Sequence, residues 1–192
     1  MSDWDRAVVL WLHGLVTAWP WLAALAAVLA NSGPLVLLGV MGVAGLWPGP
    51  GRGPRRRAMM VAGVALGEGY LLAVVLEHVL ARPRPFVALG FPPLFPHAAD
   101  SSFPSDHTLL GVALAAPFLW RTRALGVGLL ALALLTGLAR VAAGVHYPSD
   151  VLGSALLGLA VAGGADWLVA RTIAYWPAPV ARWVETAPPA PG

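Results

Sequence analysis

The stretch ALGVGLLALALLTGLARVAA, residues 124–143, holds one charged side chain, Arg140, in 20 positions. Wound as a helix it would be about 30 Å long, the thickness of a bilayer's hydrocarbon core. Comparable apolar runs lie on both sides of it, at 20–47, 58–81, 104–120 and about 150–170. The whole chain follows the same pattern: of 192 residues, 58% are hydrophobic and 11% are charged, with a mean hydropathy of +0.74. A soluble domain carries about 25% charged residues. So few charges cannot cover a water-facing surface, and the sequence reads as an integral membrane protein with an all-α bundle fold.

The basic balance, +3 with a pI near 10.2, does not point to nucleic acid. There is no lysine, and the 12 arginines sit mostly in short clusters between apolar runs. Membrane topology explains that pattern better than a nucleic-acid-binding face does. The lack of cysteine excludes disulfides, thiolate metal sites and a cysteine nucleophile. Asp3 and Asp5 precede any basic residue, so the N-terminus does not read as a cleaved signal peptide.

Residues 4–17 mix apolar positions with Asp5, Arg6 and His13, which predicts a short amphipathic helix lying in the membrane interface. Residues 20–47 are interrupted only by Asn31, Ser32, Gly33 and Pro34. They form one kinked span, giving five spans in all, or two pieces meeting at Pro34, which would make six. A polar turn, 48–57, holds Arg52, Arg55, Arg56 and Arg57. A long loop, 82–103, leads into a helix start at Pro104. Residues 1–175 are expected to form a single domain. Residues 176–192 form a tail whose APPAPG end has the composition of a disordered segment. With five spans, loop 48–57, the 121–123 turn and the tail share one side, which the positive-inside rule makes cytoplasmic. The loops at 82–106 and 144–149 then face outward, and their arginines need another explanation.

Three clusters meet at that outward end: Arg82 and Arg84; Pro104, Ser105, Asp106 and His107; and Arg140, His146 and Asp150. Arginine offers a planar fork of donors suited to phosphate oxygens. Pro104 suits a first helical turn, leaving Ser105 and the N–H groups of Asp106 and His107 facing the loop as an anion site. His146 and Asp150 are four apart, so a helical turn would set the carboxylate beneath the imidazole and fix its tautomer. Such a histidine can attack phosphorus, leaving His107 to protonate the leaving group. Each element alone has a plainer reading: an interfacial anchor, a loop, a helix-stabilising pair. Their convergence on one side does not.

Arg84-Pro85, Pro-Ser-x-His at 104–107 and Arg-x5-His-x3-Asp at 140–150 resemble the three-part signature of the type 2 phosphatidic acid phosphatase family, which shares its site with vanadium haloperoxidases. RPRPF (82–86), LFPHAADSSFPSDH (94–107) and ARVAAGVHYPSDVLG (139–153) resemble its bacitracin-resistance branch of undecaprenyl-diphosphate phosphatases. The resemblance implies a metal-independent reaction without cofactor, through a phosphohistidine, on a polyprenyl or glycerolipid phosphate. It makes His146 the nucleophile, Asp150 its orienting partner and His107 the general acid. Arg84, Ser105 and Arg140 would hold phosphate with the backbone around Asp106, and Arg82 joins them as a substrate-binding candidate.

Three positions depart from the broader signature. Glu77 stands where the family has lysine, Asp106 replaces a glycine, and Ala139 replaces a serine. Glu77 is expected to pair with an arginine, turn away or be protonated. Glu68 and Asp166, within spans, are expected to face the bundle with partners, Glu68 through a structural hydrogen bond. Small residues at Gly153, Ser154, Gly158, Ala162 and Gly163 permit close packing, within the chain or between chains. The alternatives to the isoprenoid reading are phosphatidic acid or phosphatidylglycerophosphate as substrate, a phosphotransferase, and, from another class, a small transporter using the buried acids.

Overall fold

The computed structural model describes residues 2–49 and 51–185. Eight helices follow one another: α1 (Asp3–Thr17), α2 (Pro20–Leu46), α3 (Arg52–Val79), α4 (Pro85–Leu89), α5 (Asp106–Arg121), α6 (Arg123–Ala142), α7 (Pro148–Thr172) and α8 (Ala178–Glu185), with a 3-10 turn at Ile173–Tyr175 before α8. The APPAPG end lies outside the described residues; the tail before it is helical over α8.

Among the described residues, four helices are long and apolar enough to cross a membrane: α2, α3, α6, and α7 continued to Tyr175. The fold is an all-helical, multi-pass membrane bundle. α2 runs unbroken through Pro34, so 20–47 is one helix. α5 is only 16 residues, about 24 Å. It needs no lipid-length face because Gly111 to Phe118 are buried without a break among its neighbours. α5 and α6 lie antiparallel: a Cβ placed on Gly111 would meet Ala133, and one on Gly137 would meet Thr108.

α5 is clasped from the other side by α7. A Cβ added to Gly158 would lie 2.5 Å from the Leu109 carbonyl oxygen. Glycine there lets the α7 backbone touch α5, and Ser154, one turn earlier, accepts a hydrogen bond from Ser105 N–H at 2.8 Å. The small-residue stripe of α7 therefore packs within the chain through Ser154, Gly158 and Ala162, all buried.

The arginines expected in a polar turn at 52–57 instead form the first turns of α3. Arg56 lies over the Trp183 ring of α8, 4.8 Å from its centroid. At the same end Arg121 of α5 is paired with Asp166 of α7, giving that intramembrane acid its partner. Glu68 differs from expectation. It is half-buried near Gly164 and has no hydrogen bond among the described residues.

α1 also does more than float at an interface. Its Val9 packs with Val141 and Tyr147, and its Val16 packs with Ala26 and Ala142. Buried Asp5 ties the same face to the start of α7 through Ser149.

Because the Leu109 backbone cannot move aside, Gly158→Val should destabilise the bundle by about 1–3 kcal/mol. A lowered thermal unfolding midpoint in detergent, against an unchanged midpoint for the outward-facing Gly163→Ala, is the expected result.

Candidate active site

The site forms where the start of α5, the end of α6 and the start of α7 meet under loop 82–103. α6 stops at Ala142, and Gly144 follows with φ +79°, a left-handed turn that reverses the chain toward His146. The loop is laid over this corner by hydrogen bonds from Phe86 N to Gly144 O (3.1 Å) and from Leu94 N to Ala143 O (3.2 Å). Its two ends are joined by Ser102 N to Arg82 O at 2.8 Å. Arg84, His97 and Asp100 are thereby suspended above the helix ends.

His146 is 1% exposed. Its Nδ1 lies 2.7 Å from the Ser102 carbonyl, which can only accept, so Nδ1 carries the proton and Nε2 keeps its lone pair. Nε2 faces Arg84 Nη1 at 3.3 Å. Burial first, then the charges of Arg140 and Arg84, push the imidazole well below its usual pKa, against the opposing pull of the Ser102 carbonyl. His146 is thus neutral with a free nitrogen aimed at a guanidinium.

Arg140 faces it from α6. Its Nη1 is 3.4 Å from His107 Nε2, and its Nη2 is 2.8 Å from His97 Nε2. Nη1 also reaches the Ala30 carbonyl at 3.4 Å. That carbonyl lacks its normal helix donor because residue 34, four further on, is proline and has no N–H. The proline inside α2 thus supplies an acceptor to a site residue. Arg84 is held by the Val145 carbonyl at 3.0 Å and by Asp100, whose carboxylate takes Nε at 2.6 Å. Asp106 is exposed at the first position of α5, and its backbone N–H and that of His107 are unpaired among the described residues. Two guanidinium groups, two free helix donors and three imidazoles therefore lie together, an arrangement suited to a tetrahedral oxyanion, a nucleophile and a proton carrier.

Several sequence expectations change here. Asp150 does not sit beneath His146 as a hydrogen-bonded partner: Nδ1 to Oδ2 is 3.9 Å, and the Ser102 carbonyl holds the ring. α7 begins only at Pro148, so His146 lies outside the helix. Asp150 instead caps it, taking the Tyr147 N–H at 2.8 Å. Arg82 is not turned to the oxyanion site. It bridges Asp150 (2.5 Å) and Asp5 (2.8 Å), with its guanidinium over the Tyr147 ring at 4.2 Å. Ser105 caps α5 but is fully buried, its hydroxyl 3.1 Å from that of Thr108, and Pro104 precedes the cap rather than opening the helix. Glu77 is half-buried without an ion pair among the described residues.

His97, Asp100 and Ser102 were not singled out by sequence reasoning. All three lie in the 94–107 stretch, and a loop histidine and aspartate between two phosphate motifs was the available signal. Burial first, then the nearby arginines, push His97 below its usual pKa despite its contact with the Ala98 carbonyl and the charge of Asp100, which suits an acceptor to Arg140.

Fold and site together describe a multi-pass membrane protein with histidine and arginine side chains clustered at one end of its bundle. The chain belongs to the PAP2 superfamily, which residues 58–174 match. It is 42% identical over 106 residues to "Undecaprenyl-diphosphatase BcrC" of Bacillus subtilis (strain 168), an alignment covering 55% of each chain, so the chain spans about half the length of that relative. It is 34% identical over 142 residues to YbjG of Escherichia coli (strain K12), covering 73% of this chain and 70% of that one. The crystal structure of Aquifex aeolicus LpxE has the same fold, with a TM-score of 0.65 at 24% identity over 86% of this chain and 98% of that one.

Asp100 occupies Arg84 as an anion would. Asp100→Asn should therefore tighten binding of inorganic phosphate by about two- to fivefold, the worth of a partly exposed ion pair, measured by calorimetry in detergent.

Proposed function

We propose that this protein hydrolyses undecaprenyl diphosphate to undecaprenyl phosphate and inorganic phosphate. The observation that carries the reading is the neutral His146 with its unprotonated Nε2 facing Arg84, opposite Arg140 and His107. The likeness to BcrC supports the isoprenoid diphosphate as substrate.

In this reading the terminal phosphate lies between Arg84 and Arg140, with the N–H groups of Asp106 and His107 completing the cradle. Nε2 of His146 attacks phosphorus, and the bond to the bridging oxygen breaks. His107, neutral beside Arg140 in the free protein, takes up a proton as the negatively charged diphosphate enters and gives it to that oxygen, so the lipid monophosphate departs. Water, deprotonated by the same histidine, then cleaves the N–P bond and releases phosphate. Negative charge on the equatorial oxygens is met by fixed cations and helix dipoles, the main source of rate in phosphoryl transfer. Asp100 and His97 release their arginines as the substrate enters.

The protein acts in the cytoplasmic membrane with this site facing outward. Arg52, Arg55, Arg56, Arg57, Arg121, Arg123, Arg171 and Arg182 lie toward the opposite end, the distribution expected of a cytoplasmic face. The polyprenyl chain stays in the bilayer while its diphosphate reaches the site under loop 82–103.

Phosphate release from undecaprenyl diphosphate and from phosphatidic acid, measured side by side in detergent with EDTA, tests the reading. Fast release from the diphosphate is expected, falling about 10⁴-fold or more in His146→Ala. No release from either lipid, or an indifferent mutant, would sink it.

The depressed pKa of His146 sets the pH profile. The imidazole must be unprotonated to attack, so the acid limb of kcat/KM, which reports the free enzyme, should lie below the ordinary histidine value of about 6.5. Activity persisting through mildly acidic pH is the expected outcome.

A further inference from the structure

Behind His146, on the side away from the oxyanion centre, lies a chain of three charges. Asp150 is 0% exposed and Asp5 is 2% exposed, and Arg82 stands between them, donating Nη1 to Asp150 Oδ1 at 2.5 Å and Nη2 to Asp5 Oδ2 at 2.8 Å. Asp5 belongs to α1, outside residues 58–174 that match the family. Two further bonds fix it: Ser149 N–H to Oδ1 at 3.0 Å and Ser149 Oγ to Oδ2 at 2.8 Å. Burial alone would raise the Asp5 carboxyl, but the hydrogen bonds from Ser149 and Arg82 overcome it and hold the group below its usual range, hence ionised. Desolvating a carboxylate is costly, and these bonds offset that cost and keep the charge in place.

We propose that Asp5 is a positioning residue for the reaction, supplying through Arg82 the net negative charge behind His146. The inference rests on the function proposed above. An Arg82–Asp150 pair alone is neutral and offers little field to its neighbours. With Asp5 the cluster Asp5, Arg82 and Asp150 sums to one negative charge. When His146 Nε2 bonds to phosphorus the imidazole becomes cationic, with Asp150 Oδ2 3.9 Å from its Nδ1. The cluster's charge stabilises that cation, which exists during reaction and not in the bound ground state, so its effect falls on kcat rather than KM. Asp5 also fixes Ser149, and Asp150 fixes the Tyr147 N–H, so the same contacts hold the segment that carries the nucleophile. Arg84, Arg140, His97 and His107, on the other face of His146, remain the groups that meet substrate.

The test compares wild type, Asp5→Asn, Asp5→Glu and Val16→Ala on undecaprenyl diphosphate in detergent, with kcat, KM and thermal midpoint read for each. Val16 packs α1 onto Ala26 and Ala142 without touching the charges, so its truncation reports loosened docking alone. Asp5→Asn should lower kcat on the order of 10- to 100-fold with KM within about twofold, Asp5→Glu should recover much of the loss, and Val16→Ala should keep kcat despite a lower midpoint. Wild-type kcat in Asp5→Asn, or a loss matched by Val16→Ala at equal destabilisation, overturns the assignment while leaving the phosphatase reading intact. An inactive wild type overturns the phosphatase reading and this inference with it.

Discussion

The central constraint is the burial of α5. This helix is too short to face lipid along its length, and it is enclosed by α3, α6 and α7, the last approaching so closely that Gly158 lies against the Leu109 backbone. That contact brings three helix ends to one level: the free N–H groups of α5, the last turn of α6 with Arg140, and the cap of α7 after His146. A larger residue at the crossing would separate ends that must sit within hydrogen-bond reach. The packing of small residues deep in the bundle and the geometry of the oxyanion centre at its rim are one design.

Holding two arginines together at a buried site requires partners that do not cancel the charge needed for an anion. Arg140 is met by neutral acceptors, the imidazoles of His97 and His107 and the carbonyl left open by Pro34. Arg84 has the Val145 carbonyl and, as the exception, the loop carboxylate of Asp100, which a bound anion must displace. Imidazoles in such company stay neutral because a proton there would add a charge beside existing cations. The field of the two arginines therefore helps keep His146 unprotonated. The fixed negative charge is separated onto the far side of His146, where Asp150 and Asp5 share Arg82.

Much of this architecture could be read from one dimension. The apolar runs located the long helices, and a single helix through Pro34 is what the chain forms. The arginine clusters at 52–57 and 121–123 lie at one end, and the three motifs meet at the other. The misassignments were local. Arginines placed in a turn extend α3, because helix ends depend on packing as well as on composition. Arg82 and Arg84, two residues apart in the same loop, face different partners, and no spacing rule separates them.

The sequence by itself determined that the chain enters a membrane and which residue types meet there, because hydropathy and motif order are properties of a linear chain. Tertiary structure alone decided which partner each polar group takes. Helical spacing suggested Asp150 under His146, but α7 starts after that histidine, so the carboxylate caps the helix and the Ser102 carbonyl holds the ring. Asp5, 144 residues from Ser149, gave no sequence sign of joining the site. A buried charge must find a partner wherever the fold brings one within reach, and that reach is set by packing in three dimensions, not by distance along the chain.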